Sequence, residues 1–146
     1  MNCVTAFAPA TVSNVACGFD VLGFALGSPG DEVTARVAAG GGVRIDAIRG
    51  DRGRLSHDAQ KNTAGVAAAA LLATLGERRG VVLTIHKSLP LAGGLGGSAA
   101  SAVAAVVAVD ALLQARTPID TLFTCAFEGE RLGAGSAHGD NIAPCL

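Results

Sequence analysis

The sequence lacks the residues on which several classes of protein depend. It has no Trp, no Tyr, one Met and five Phe in 146 residues, so few large side chains can anchor a core. Its 11 Lys and Arg stand against 12 Asp and Glu, which gives a net charge of −1. This balance excludes a strongly basic nucleic-acid-binding protein and leaves no polybasic patch for a membrane surface. We therefore expect neither nucleic acid nor a membrane as a partner.

Paired cysteines and long apolar runs are also missing. Cys3, Cys17, Cys125 and Cys145 form no C-x-x-C pair that would indicate zinc or thioredoxin-like chemistry. The N-terminus has no basic stretch followed by an apolar core, as a secretory leader would, so we expect reduced thiols and a cytoplasmic protein. The longest uncharged apolar run, residues 99–109, is far shorter than the roughly 20 residues of a membrane-spanning helix.

Small residues dominate what is present. Half of the chain is apolar, alanine is the commonest residue, and glycine occurs 20 times, so elements can pack closely. A chain of this length forms one domain or part of one. Charged residues are only 16 %, which indicates that apolar surface meets further structure or that the chain is incomplete.

The N-terminal half predicts strands separated by turns. Apolar and β-branched residues favour strands over residues 3–8, 20–26, 31–38 and 43–47. Pro9 is expected to end the first strand, with a loop over residues 9–19. Glycines predict turns at residues 27–30 and 40–42, the second joining two strands as a hairpin.

The C-terminal half predicts helices. Asn62 or Thr63 can cap a helix that ends at Gly76, followed by a strand over residues 81–85 and a loop over residues 89–97. Ser98 can cap an alanine-rich helix to residue 114, and a further helix starts near residue 118 and runs to about residue 132. This order of elements indicates an α+β fold.

The most informative segment is residues 93–98, Gly-Gly-Leu-Gly-Gly-Ser, between a predicted strand and a predicted helix. Glycine has no Cβ, so backbone N–H groups there can close on a phosphate. The helix N-terminus adds N–H donors and a partial positive charge. The segment suits a polyphosphate, and Ser98 can either cap the helix or place its hydroxyl on a metal that the phosphates carry.

Three interpretations of this segment compete. A flexible loop with a capping serine is the plainest. A dinucleotide fingerprint, Gly94-x-Gly96-x-x-Ala99, matches formally, but no acidic residue follows at a strand end about 20 positions later. The third is an ATP site that is not of the Walker type, since no Gly-Lys-[Ser/Thr] follows.

Two further segments favour the third interpretation through a resemblance. Residues 87–101, KSLPLAGGLGGSAAS, resemble the phosphate-binding motif of the galactokinase, homoserine, mevalonate and phosphomevalonate kinase superfamily. Residues 8–23, APATVSNVACGFDVLG, resemble the first motif of the homoserine kinases, and residues 138–144, HGDNIAP, resemble their substrate loop. The three motifs follow the family order from one end of the chain to the other.

The resemblance implies a fold and an activity. The fold is α+β and ribosomal-protein-like, with a mixed or antiparallel sheet packed against helices and a left-handed βαβ crossover. The activity is transfer of the ATP γ-phosphoryl group to the hydroxyl of L-homoserine in threonine biosynthesis, with ATP and Mg²⁺. Homoserine kinases are considerably longer, so we expect residues 1–146 to be the N-terminal ATP-binding kinase domain of a protein that is a homodimer when complete. Their C-terminal glycine-rich motif and the arginines for the substrate carboxylate are missing here.

The resemblance also assigns positions around the nucleotide. Asn62 and Lys87 match positions near the adenine, and Ser98 and Glu130 match the Mg²⁺-contacting positions, with Glu128 left open as the alternative. The loop that wraps the triphosphate is Pro90, Leu91, Ala92, Gly93, Gly94, Leu95, Gly96, Gly97, Ser98, Ala99 and Ala100. Gly97 departs from the family pattern, which usually has a serine there.

The substrate positions implied by the resemblance are Asn14, Asp20, His138, Gly139 and Asn141. Asp20 suits the α-ammonium of homoserine, whereas Asn14 and Asn141 match catalytic positions and can donate or accept at the reacting hydroxyl. Homoserine kinases have no Asp base at the position of Asn141, so the γ-phosphate can take the proton and alignment carries the reaction. Two alternatives stay open: an inactive nucleotide-binding module, and a kinase of the same superfamily acting on another small alcohol.

Overall fold

The fold is a four-stranded mixed sheet packed against helices. The computed structural model describes residues 3–134 and 139–146, with the side chains of residues 19, 20, 133 and 134 outside that description. In these ranges the elements are β1 (Cys3–Val15), β2 (Gly18–Ala38), β3 (Val43–Arg49), a 3₁₀ turn (Ala59–Lys61), α1 (Thr63–Leu75), β4 (Gly80–His86), α2 (Gly97–Leu113), α3 (Ile119–Ala134) and α4 (Ile142–Cys145).

The strand order across the sheet is β1-β2-β4-β3. β2 is antiparallel to both β1 and β4, whereas β3 and β4 are parallel neighbours. Since α1 lies between β3 and β4 in the chain, this connection is a βαβ crossover. The mixed sheet and its helices confirm the predicted α+β class.

The first two strands are longer than the sequence predicts. β1 continues through Pro9 to Val15, and β2 passes without interruption through the predicted turn at residues 27–30. The register shifts between Pro9 and Thr11, opposite that part of β2, so the proline and glycines produce an irregularity in the ladder instead of an end. Proline is tolerated because β1 is an edge strand. The predicted loop over residues 9–19 is therefore wrong for most of its length.

The predicted hairpin of β2 with β3 is also wrong. The glycines at 40–42 do turn the chain, with Gly40 and Gly42 at positive φ. However, β3 pairs with β4, which lies between β2 and β3 in the sheet. A local turn signal does not determine which strand becomes the neighbour.

The predicted helices α1, α2 and α3 are confirmed, with one correction. Asn62 caps α1 by accepting the Ala64 N–H, and Gly76 ends that helix in the left-handed region. Helix α2 begins at Gly97 and is preceded by Gly96, so Ser98 lies inside the helix and is not its cap. The short helix α4 was not predicted from the sequence.

Helix α2 is the centre of the core. Most of its residues are buried, and it contacts α1, α3, β1 and β2. Small side chains allow this close packing: a Cβ added at Gly129 of α3 would lie 2.4 Å from the Thr63 carbonyl oxygen of α1. The start of α2 is thereby held in a fixed place beside the loop after β4. In the described ranges, no helix is both long and apolar enough to cross a bilayer.

Candidate functional site

A cavity of about 570 Å³ opens beside the start of α2. Its walls come from the end of β1, the segment before α1, the loop between β4 and α2, helix α3 and the residue before α4. The predicted site residues that line it are Asn14, Asn62, Lys87, Pro90, Leu91, Ala92, Gly93, Gly94, Gly96, Gly97, Ser98, Glu130 and Asn141. The fold thus brings together segments from both ends of the chain.

The remaining predicted site residues do not line this cavity or are not described. Ala99 and Ala100 are fully buried in the core, and Leu95 packs against the core while its carbonyl accepts the Thr11 N–H at 3.1 Å. Gly139 lies against the Phe123 ring, which a Cβ would approach to 2.6 Å. Two predicted substrate residues stay predictions: His138 lies outside the described residues, and the side chain of Asp20 in β2 is not described.

The loop enters α2 with N–H groups available. Ala92, Gly94 and Gly96 all have positive φ. The first N–H group that bonds back into the helix is that of Ala100, which donates to the Gly96 carbonyl at 2.8 Å. Among the described residues no side chain caps the start of α2, and the first N–H groups of a helix have no partner within it. Together with the partial positive charge of a helix N-terminus, these donors suit an anion such as a phosphate.

Gly96 and Gly97 differ in the space that is available for a side chain. A Cβ at Gly96 would lie 2.0 Å from Thr11 Oγ1 and 2.9 Å from Asn141 Oδ1, and its φ is +64°. At Gly97 a Cβ would make only ordinary contacts, at 3.4 Å from Leu89 and 3.5 Å from Lys87. The backbone therefore requires glycine at position 96, whereas position 97 has room for a Cβ atom.

A serine and a glutamate meet at the cavity wall. Ser98 Oγ donates to Glu130 Oε1 at 2.7 Å. The other oxygen, Glu130 Oε2, is buried and has no hydrogen-bond partner among the described residues. Burial raises the pKa of Glu130, partly offset by the Ser98 hydrogen bond, while the charge of Asp140 adds to the increase and that of Lys87 opposes it. A carboxylate oxygen thus lies in the protein without a partner.

Glu128, the alternative to Glu130, faces away from this pair. Its carboxylate is largely exposed and accepts a hydrogen bond from Arg131 at 3.2 Å. It does not line the cavity. The geometry therefore favours Glu130 over Glu128 as the carboxylate of the site.

Two predicted asparagines are held by hydrogen bonds within the protein. Asn141 Oδ1 accepts from Thr11 Oγ1 at 2.8 Å, and its Nδ2 donates to Ser13 Oγ at 3.1 Å. Asn62 accepts the Ala64 N–H and donates to the Ser56 carbonyl at 3.0 Å. Asn141 therefore joins the start of α4 to β1, and Asn62 shapes the wall before α1.

Lys87 immediately precedes the glycine loop, which is the segment of residues 88–96 between β4 and α2. Its side chain is buried, and its ammonium group contacts Asp31, the Gly97 carbonyl oxygen at 2.6 Å and Ser101 Oγ at 2.9 Å. Sequence reasoning missed Asp31 and Ser101. Asp31 was missed because it only follows the predicted turn at residues 27–30, and its partner Lys87 is 56 residues away in the chain.

Lys61, at the edge of the same cavity, was also missed. Its side chain is exposed, it forms an ion pair with Asp58 at 3.6 Å, and it lines the cavity beside Asn62. An exposed lysine beside a predicted cap residue carries no distinctive sequence signal.

Comparison with known proteins identifies the family. The family model described as "GHMP kinases N terminal domain" matches residues 62–146, which is more than half of the chain. The chain belongs to the GHMP kinase family. Its glycine loop, Ser98 and Glu130 all fall within the matched residues.

Individual relatives agree with this assignment. The chain is 50% identical over 139 residues to a homoserine kinase of Xanthomonas campestris, covering 95% of this chain and 43% of that protein. It is 44% identical over 156 aligned positions to a homoserine kinase of Chloroherpeton thalassium, covering 100% of this chain and 49% of that protein. The chain thus spans slightly less than half the length of these curated GHMP kinases.

Solved structures show the same fold. A homoserine kinase from Cytophaga hutchinsonii superposes with a TM-score of 0.95 at 51% identity, covering 99% of this chain and 46% of that one. An L. major mevalonate kinase in complex with R-mevalonate superposes with a TM-score of 0.73 at 21% identity, covering 97% of this chain and 45% of that one. The second match concerns the fold alone.

Adding one methyl group to neighbouring glycines tests the backbone of the loop. We expect Gly96→Ala to lower the free energy of unfolding by roughly 1–2 kcal/mol from its φ alone, and further through the contact with Thr11. Gly97→Ala, the matched control, should change it by less than about 1 kcal/mol, toward greater stability. Urea unfolding followed by circular dichroism measures both. Equal effects would contradict the geometry of the loop.

The pH dependence of stability tests the burial of Glu130. Because burial raises its pKa above 4.5, ionisation of this carboxyl costs folding free energy. The cost is absent below the pKa of the unfolded state. It grows as pH rises from that value through the raised pKa of the folded state, and it is complete above the raised pKa. We expect the stability of Glu130→Gln relative to wild type to be greater at about pH 8 than at about pH 4. Urea unfolding at both pH values measures this, and Glu128→Gln is the control; a gain that does not change with pH would refute it.

Proposed function

We propose that the complete protein transfers the γ-phosphoryl group of ATP to the hydroxyl of L-homoserine, giving O-phosphohomoserine and ADP. Residues 1–146 would supply the part that binds the triphosphate. The observation that carries this proposal is the glycine loop that enters the uncapped helix α2 directly beside the Ser98–Glu130 pair. The homoserine kinases among its relatives support the choice of acceptor.

The triphosphate would lie along the glycine loop at the start of α2. This is where backbone N–H groups are free of side-chain caps and where the helix adds partial positive charge. Gly96 keeps the loop in contact with Thr11 and Asn141, because any Cβ there would enter those side chains. The loop can thus follow the phosphates closely with its backbone.

The residues present fit a magnesium ion at Ser98 and Glu130. The unpartnered Glu130 Oε2 and the Ser98 hydroxyl are hard oxygen ligands of the kind that Mg²⁺ prefers. The described residues contain no group of three or more His, Cys, Asp or Glu able to hold a metal by themselves. Mg²⁺ that arrives with a nucleotide uses one or two carboxylates together with phosphate oxygens. When bound, Mg²⁺ neutralises charge on the phosphates.

The reaction needs alignment more than a protein base. A bond forms between the substrate oxygen and the γ-phosphorus, the bond from that phosphorus to the bridging oxygen breaks, and ADP leaves. The hydroxyl proton passes to a γ-phosphate oxygen. Asn14 and Asn141 would hold the hydroxyl through their amides, and Thr11 and Ser13 fix Asn141 in place. Neutral amides position but do not deprotonate, which suits the loose transition state of phosphoryl transfer.

The rest of the substrate site is proposed from the resemblance. Asp20 would bind the α-ammonium of homoserine, with His138 and Gly139 beside it. On the same basis we place the reaction in threonine biosynthesis in the cytoplasm, and we propose a homodimer for the complete protein.

The acceptor is tested by measuring ADP release from the complete protein with Mg-ATP and one alcohol at a time. Turnover should depend on homoserine and not on mevalonate, galactose or shikimate. Turnover with one of the other alcohols would overturn the substrate assignment. Nucleotide binding without turnover on any of them would indicate an inactive nucleotide-binding module.

A pair of conservative substitutions tests the metal position. We expect Glu130→Gln to lower kcat by about 10²-fold or more, as loss of a group that acts in the transition state does, and to raise the Mg²⁺ concentration needed for half-maximal activity. Glu128→Gln removes an equivalent charge two residues away on the exposed face and should leave both values unchanged. Steady-state kinetics at varied Mg²⁺ distinguishes them, and the reverse pattern would assign the metal to Glu128.

A further inference from the structure

A buried charged cluster contacts both ends of the glycine loop. Asp31 is fully buried, and the side chains of Lys87 and Ser101 are almost completely so. Charged side chains are almost never buried to this degree unless they are paired. These three residues, which we call the loop clamp, come from β2, the residue that follows β4 and the second turn of α2.

Asp31 uses both oxygens of its carboxylate. Oδ1 accepts the backbone N–H groups of Ser88 and Leu89, each at 3.0 Å. Oδ2 contacts the Lys87 ammonium and accepts from Ser101 Oγ at 2.9 Å. One side chain of β2 therefore holds the first residues of the loop and, through its partners, the helix that follows the loop.

Lys87 holds the other end of the loop. Its ammonium group donates to the Gly97 carbonyl at 2.6 Å and to Ser101 Oγ at 2.9 Å, in addition to Asp31. Gly97 is the first residue of α2, where the loop ends. An ammonium group has three donors, and these contacts occupy all of them. The ammonium group of Lys87 is therefore fully paired within the protein, although the residue also lines the cavity.

We propose that Asp31 is a positioning residue for the nucleotide: through Lys87 and Ser101 it fixes the distance between the two ends of the glycine loop, so that the loop N–H groups are placed before the triphosphate arrives. This inference rests on the proposed function and changes the role of one predicted residue. Lys87 acts through its bonds to Asp31 and the Gly97 carbonyl, and the positive field on the phosphates comes from the backbone and helix α2. Preorganised donors bind more tightly because their ordering is already complete.

Removing the charge of Asp31 distinguishes two roles for Lys87: positioning the loop, and contacting the nucleotide directly as the resemblance implied. If Lys87 were a direct ligand of the nucleotide, Asp31→Asn would release its ammonium group, and ATP would bind equally well or more tightly. If the clamp positions the loop, the same substitution loosens both loop ends. We then expect affinity for the Mg²⁺ complex of a non-hydrolysable ATP analogue to fall roughly tenfold to a hundredfold, the range for one hydrogen bond to a charged group.

The experiment combines calorimetric titration of the complete protein with hydrogen exchange of the amides in residues 88–99. Asp31→Asn should weaken binding and accelerate exchange in this segment. Ser101→Ala, which leaves the buried ion pair intact, should produce the same changes to a smaller degree and serves if Asp31→Asn does not fold. Glu77→Gln is the control, because it breaks an ion pair with Arg79 in which the nitrogen and oxygen are 2.7 Å apart and the arginine side chain is more than half exposed. It should change neither measurement.

The outcomes separate the two proposals. Normal or tighter nucleotide binding by a folded Asp31→Asn or Ser101→Ala protein, with unchanged exchange in residues 88–99, would overturn the clamp and leave the proposed function standing. Failure of the wild-type protein to bind the Mg²⁺–nucleotide complex would overturn the proposed function, and with it the role of Asp31 in nucleotide binding. Weakened binding together with accelerated exchange in the loop, and no effect of Glu77→Gln, supports both.

Discussion

The contact between Asp31 and Lys87 is the interaction on which the site depends. Removing two charges from water is costly, and the cost is offset only when both groups are paired and their remaining hydrogen-bonding positions are filled. Here the filling groups are the N–H groups and the carbonyl oxygen at the two ends of the glycine loop. The requirement to satisfy a buried charge and the requirement to fix a flexible loop are thus met by the same bonds. The glycine-rich loop would otherwise be free to move, and its conformation is held by Asp31 of the distant strand β2.

Helix α2 supplies the second constraint. Its alanine-rich surface lets it approach α1, α3 and the sheet closely, so its first turn cannot shift without disturbing the core. Gly96 adds a local condition, because Thr11 and Asn141 occupy the space that a side chain would need. The N-terminus of the helix is therefore presented to the cavity in one orientation. That rigidity is what a site acting through alignment requires.

Glu130 is a partly buried carboxyl group in the cavity wall. Ser98 donates a hydrogen bond to one of its oxygens, and the other has no hydrogen-bond partner in the part of the chain that the structure describes. Burial raises its pKa because an unpaired carboxylate is disfavoured away from water. The same energetic cost would be relieved by a metal ion brought in with the phosphates. Glu128, two residues away, is exposed and forms an ion pair with Arg131.

The sequence by itself determined the three long helices α1, α2 and α3, the α+β class, the glycine loop and, through ordered motifs, the family. These features are local: an Asn62 cap, a Gly76 terminator and a run of glycines before a helix act over a few residues. Only the tertiary structure decided the pairing of β3 with β4, the continuation of β1 through Pro9, the place of Glu130 in the cavity wall and the pairing of Lys87 with Asp31. Each of these depends on residues far apart in the chain, and the partner of Lys87 is 56 positions away. A sequence pattern records which residues are neighbours in the chain, whereas hydrogen bonds and burial depend on which become neighbours in space.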